Sequence, residues 1–220
     1  VAPPKESIPA VSSMFKAMAS EKYAQAVDDT IKAGPYAELK QQSKLYHAPR
    51  SEAAAALADR EETFMSGLAH KVPGLRVSER GFVTYLNKLR SDVFDTVARN
   101  WEGTGKTAKD YEGLANFLNL ASGRGKLGPL QNMAPQMNIL FFSPRLLASR
   151  IQLPFQVLQD PRNPVFPLIA RDLAITFGTG TAVLSMMKLS GAADVELDPR
   201  SSDFGKMRFG NQRVDFWGGF

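Results

Sequence analysis

Arg124, Lys126, Arg145 and Arg150 lie in a window, between Glu112 and Asp160, that contains no acidic residue. The apolar run Ile139-Leu140-Phe141-Phe142 falls in the same window and is followed by Ser143-Pro144. Positive charge on an apolar segment suits phosphate groups, whether of nucleic acid or of lipid. It also suits ordinary packing, with arginines at the rim covering neighbouring carbonyls. Both readings stay open, and the four basic residues are the candidate phosphate or headgroup contacts.

Catalytic chemistry finds little else to use. The chain has no cysteine, which excludes disulfides, thiolate metal sites and cysteine nucleophiles. His47 and His70 are its two histidines, and they lack a ligand or triad pattern. Each reads as a surface or capping residue. Glu79, Asp92 and Asp95, like Asp59, Glu61 and Glu62, sit in helical sequence, where acids usually line a solvated face. A glycosidase needs a glutamate of raised pKa in a cleft, and nothing here marks one. Gly103-Thr104-Gly105-Lys106-Thr107 ends like a phosphate-binding loop, but Asn100 stands where that motif needs glycine and the upstream element is helical. It reads as a turn between helices. The expectation is a protein without intrinsic catalysis, metal or cofactor.

The elements around these residues follow from periodicity. The 220 residues suffice for one large domain or two small ones, and the net charge of +5 collects in the second half. Val11, Phe15 and Met18, then Tyr23, Val27 and Ile31, fall at helical spacing until Gly34-Pro35. Ser51 to about Ala69 is a helix by propensity, ended by Pro73-Gly74. Ser78 is read as the N-cap of the best helix, continuing to about Arg99. Its stripe is Phe82, Tyr85, Leu86, Leu89, Val93, Phe94 and Val97, with Asn87, Lys88, Arg90, Ser91 and Asp95 on the other side. Asp110 to Leu120 is a further helix with Gly123 as its C-terminal glycine. Pro144 suits a first helical position, and the prolines from Pro154 to Pro167 suggest an irregular connector over 155–167.

Leu173 to Met187 carries no charge. As helix it spans about 22 Å, short of the roughly 30 Å of a bilayer core unless it continues to Ala193. A buried helix and a membrane span both fit, with Leu173, Phe177, Val183 and Leu184 the candidate assembly or membrane residues. Beyond Asp194, Met207 and Phe209 alternate with charge, Gly210-Asn211 supplies a turn, and Val214 and Phe216 alternate again, as in a β-hairpin with one apolar face. The predicted fold is mainly α, a multi-helix assembly with a C-terminal β-hairpin. Its predicted divisions are 1–77, an N-terminal helical segment; 78–193, a helical domain with an apolar helix over 173–193; and 194–220, the hairpin. The start at Val1 and the stop at Phe220 suggest a piece of a longer chain, and no signal peptide is visible.

Four blocks carry a resemblance: Tyr85-Leu86-Asn87-Lys88-Leu89-Arg90-Ser91-Asp92, Ser122-Gly123-Arg124-Gly125, Phe141-Phe142-Ser143-Pro144-Arg145, and Asp198-Pro199-Arg200-Ser201-Ser202-Asp203-Phe204-Gly205-Lys206. In this order they resemble a domain of the very large polyvalent proteins of tailed phages and other mobile elements, over about residues 78 to 220. The resemblance implies a structural part of an internal or ejection protein of the virion. Such a part assembles with copies of itself or with portal, tail and internal proteins, and helps DNA pass the host envelope. It implies a location in the virion, then in the host envelope after ejection, with DNA and membrane as possible partners. A nucleic-acid-binding module of such a polyvalent protein is the alternative. No catalytic residue carries over.

Overall fold

The structure, a computed structural model, describes residues 4–48, 73–129, 144–159 and 163–215. Seven helices and a small antiparallel sheet make up these residues: α1 (Pro4–Ala19), α2 (Glu21–Ala33), α3 (Ala37–Gln42), α4 (Pro73–Trp101), α5 (Ala108–Ala121), α6 (Pro144–Gln159), α7 (Phe166–Leu189), β1 (Asp194–Val195), β2 (Met207–Phe209) and β3 (Gln212–Val214). The mainly helical fold ending in β structure is as expected. The expected helix over 51–69, its acidic cluster, His70, and Ile139 to Ser143 lie outside the described residues.

Two compact units form, residues 2–166 and 167–220 apart from Val1. In the first, α1 and α2 pack on α4, and in the second the sheet packs on the end of α7. In the first unit α4 is the axle. It runs for 29 residues and begins at Pro73, five residues before the expected cap at Ser78. Proline is tolerated in a first turn, where its missing N–H has no partner to lose, so Pro73-Gly74 opens the helix. Arg80 then caps the other end of α1, donating from Nε to the Ala17 carbonyl at 2.6 Å and from Nη2 to the Met18 carbonyl. A guanidinium there answers both the orphan carbonyls and the negative end of the helix dipole.

α4 buries both of its faces. Val83, Leu86, Phe94 and Ala98 are core residues, whereas Phe82, at the start of the expected apolar stripe, is exposed. Asn87, Arg90 and Ser91 are also buried, on what the sequence marks as the wet side. Asn87 and Arg90 are turned inward toward a segment without regular structure, residues 45–48, and Ser91 accepts from Lys40 of α3. α5 packs between α4 and α6. The turn from Gly103 to Thr107 joins α4 to α5 with Gly103 and Gly105 at positive φ. Thr107 and Asp110 then form a capping box, in which the Thr107 N–H holds the Asp110 carboxyl below its usual range. α6 continues through Pro154 to Gln159, so much of the expected connector is helix.

In the second unit α7 starts at Phe166, earlier than expected, and ends at Leu189. Leu184 packs with Ala193, Val195 and Met207 to form a small core, edged by Met187. The sheet order is β1-β2-β3, with Val195 opposite Met207 and Met207 opposite Val214. The expected hairpin therefore gains a third strand. Its expected apolar face is only partly covered: Met207 is buried, while Phe209 and Val214 remain exposed.

Candidate functional site

A dense polar cluster of the first unit is built around residues 44–48, a strap without regular structure that leaves α3. α3 closes in a Schellman turn. Lys44 takes the left-handed position at φ 60°, its N–H bonds the Gln41 carbonyl at 3.0 Å, and the Leu45 N–H bonds the Lys40 carbonyl at 2.9 Å. Past that turn no strand among the described residues pairs with the strap, and side-chain amides take that place. Asn119 on α5 accepts from the Tyr46 N–H at 2.9 Å and donates to the Lys44 carbonyl at 3.1 Å. Asn87 on α4 accepts from the Ala48 N–H at 2.8 Å and donates to the Ala48 carbonyl at 3.0 Å. A buried backbone group without a partner is costly, so each amide supplies what a β-ladder would.

Cations crowd the same place. Lys40 and Arg90 are each 2 % exposed. Lys40 Nζ donates to Ser91 Oγ at 2.7 Å and lies 2.9 Å from Asp95 Oδ1. Arg90 donates from Nε to Ser122 Oγ at 2.6 Å, and its guanidinium carbon sits 5.3 Å from the centre of the Tyr46 ring. Arg124 comes closer, at 3.6 Å over that ring, a stacked cation–π contact. α5 ends as α3 does: Gly123 at φ 89° bonds the Leu120 carbonyl at 3.0 Å, and the Arg124 N–H bonds the Asn119 carbonyl at 2.8 Å. The turn of Ser122-Gly123-Arg124-Gly125 thus aims Arg124 at Tyr46. Gly125 next donates to the Arg145 carbonyl at 3.0 Å, and a Cβ on it would stand 2.3 Å from the Ser149 nitrogen. Only glycine lets this stretch lie so close to α6.

The four basic residues singled out by sequence are therefore divided. Arg124 and Arg145 are buried, Arg150 is half-buried, and Lys126 is exposed with its backbone N–H and carbonyl bonded by the Gln152 amide at 2.9 and 2.6 Å. His47, expected as a surface or capping residue, is half-buried. Its Nε2 is buried without a hydrogen-bond partner, and burial, with Lys40 and Arg90 nearby, lowers its pKa to about 4. Asp92 pairs with Lys88 at 2.8 Å and Asp95 with Lys40 at 2.9 Å. Among the described residues no group of three or more His, Cys, Asp or Glu is placed to hold a metal.

Sequence reasoning missed Tyr46, Asn87 and Asn119. One signal was present: Ala48 precedes Pro49, and a residue before proline is pushed toward extended backbone.

The second candidate region is α7. From Ala174 to Thr179 every residue is exposed. Leu173 and Val183 are half-buried, Phe177 is exposed, and Leu184 belongs to the sheet's core. Among the described residues, no helix is long and apolar enough to cross a membrane. No family model matches the chain, and no curated protein or solved structure matches it.

Proposed function

We propose that this chain is a structural module of a large phage internal or ejection protein, working by assembly with copies of itself or with other virion proteins. The observation that carries this reading is the exposed row Leu147, Ile151 and Phe155 on α6, at four-residue steps and 47 %, 56 % and 56 % exposed. Apolar side chains in such a row line one face of a helix. α1 repeats the pattern with Ile8, Val11 and Phe15, and α7 adds Ile175, Met186 and Leu189. Contiguous apolar surface facing water marks an interaction site more often than a catalytic one. The basic residues support this more than phosphate binding, since Arg124 is spent on Tyr46 and Arg145 is buried.

Sedimentation velocity at micromolar concentration, in low and high salt, tests the reading. Association that survives high salt, and that Ile151→Glu weakens in a protein still folded by circular dichroism, is the expected result. A monomer at all concentrations overturns it. Salt-labile binding to duplex DNA without self-association supports the nucleic-acid module in its place, because phosphate contacts weaken steeply with salt.

A further inference from the structure

His47 sits on the strap, and the charged groups of the described residues that act on it are cations. Lys40 of α3 and Arg90 of α4 both oppose a positive charge on the ring. Arg124, from the turn after α5, meets the same strap through Tyr46. The carboxylate among these groups, Asp95 of α4, already holds Lys40 at 2.9 Å. The ring's Nε2 is buried with no hydrogen-bond partner to share a proton. An imidazolium in this position would be a further buried cation beside two others, in a medium that screens them poorly.

We propose that the strap Lys44–Ala48 is an acid-released latch, which leaves α4 and α5 when His47 takes up a proton. Release carries the ring into water, where it accepts charge freely. The strap's backbone groups exchange Asn87 and Asn119 for water, so their hydrogen bonds are replaced and not simply lost. The helices α1, α2 and α4 keep their own contacts, including the Arg80 cap on α1 and the bond from Thr96 to Glu6 at 2.8 Å.

The size of the effect follows from the closed and open states. His47 titrates at about 4 in place, against an ordinary 6.5 once released. Between those pH values the ratio of open to closed strap rises by roughly 300-fold, a factor of ten for each pH unit.

The test uses the 220-residue protein and amide hydrogen exchange followed by NMR from pH 7 to pH 4, corrected for the intrinsic pH dependence of exchange. The expected result is that Tyr46 and Ala48 lose protection by up to about 300-fold, while Phe94 in α4 keeps its own. In His47→Gln, which stays neutral, that loss is absent. Unchanged protection at Tyr46 and Ala48 in the parent overturns the proposal. So does the same loss in His47→Gln, or loss at Phe94 together with the strap. Should His47→Gln not fold, the parent's own imidazole signals decide. Strap opening must track protonation of His47, and opening while His47 is neutral sinks the latch.

Discussion

Asn87 and Ala48 exchange two hydrogen bonds, N–H to Oδ1 at 2.8 Å and Nδ2 to carbonyl at 3.0 Å, across 39 residues of sequence. A helix side chain here plays the part of a β-strand, and both bonds are buried. Asn87→Leu leaves the Ala48 N–H and carbonyl dry and unpartnered, a loss of roughly 2–3 kcal/mol. Asn119 makes the same pair of bonds nearer to solvent, where water can replace it. Asn119→Leu is therefore expected to cost only about 1 kcal/mol. Urea denaturation of both variants checks the order.

Lys40 and Asp95 differ in burial, so removing one is not equivalent to removing the other. The Lys40 side chain is 2 % exposed and that of Asp95 20 %. Asp95→Ala strands a buried ammonium and is expected to cost about 3 kcal/mol or more. Lys40→Met leaves a carboxylate that water still reaches, and places an apolar chain in the buried space. It is expected to cost less, about 1 kcal/mol. Equal losses in chemical denaturation would contradict this asymmetry.

Two glycines give opposite signs. At Gly125 an added Cβ meets backbone, the Ser149 nitrogen at 2.3 Å and the Arg145 carbonyl oxygen at 2.6 Å. Gly125→Ala must push the stretch off α6, and overpacking of this kind costs about 3 kcal/mol. At Gly178, in α7, nothing lies within 4 Å of the added carbon. Gly178→Ala is expected to stabilise by up to about 1 kcal/mol through helix propensity alone. Thermal unfolding of the two variants reads out the difference.

His47 gives stability a pH dependence of known sign. Its pKa in the fold, about 4, lies below the ordinary 6.5, so between these values the unfolded chain binds the proton that the folded chain refuses. Its contribution is intact above pH 6.5 and is lost progressively as pH falls to about 4, where it levels off. The total is on the order of 3 kcal/mol. Unfolding free energies of the parent and His47→Gln, compared across pH 4 to 7, should diverge by that amount and in that direction.

Lys44 occupies a left-handed position, φ 60°, that favours glycine. Its ammonium makes an exposed pair with Glu112 at 2.7 Å, and exposed pairs contribute little. Lys44→Gly is expected to stabilise the protein by roughly 0.5–1 kcal/mol, which a shift of the urea midpoint would show.

The sequence by itself determined the parts of this protein that depend on near neighbours. Helical spacing placed α1, α2 and α5, glycine placed the turns at Gly103, Gly105 and Gly123, and alternation around Gly210-Asn211 placed β2 and β3. These signals act within a turn or two of chain, so they read directly. Tertiary structure alone decided that Asn87, Arg90 and Ser91 would face inward and that His47 would be held neutral. It also decided that Arg124 would lie on Tyr46, and that Ala174 to Thr179 of α7 would be exposed. Tyr46 meets Asn119 across 73 residues, and Lys40 meets Ser91 across 51. A polar side chain is buried when a distant backbone segment needs its hydrogen bonds, and an apolar one is exposed when no segment arrives to cover it. Neither condition is written in the spacing of the residues beside it.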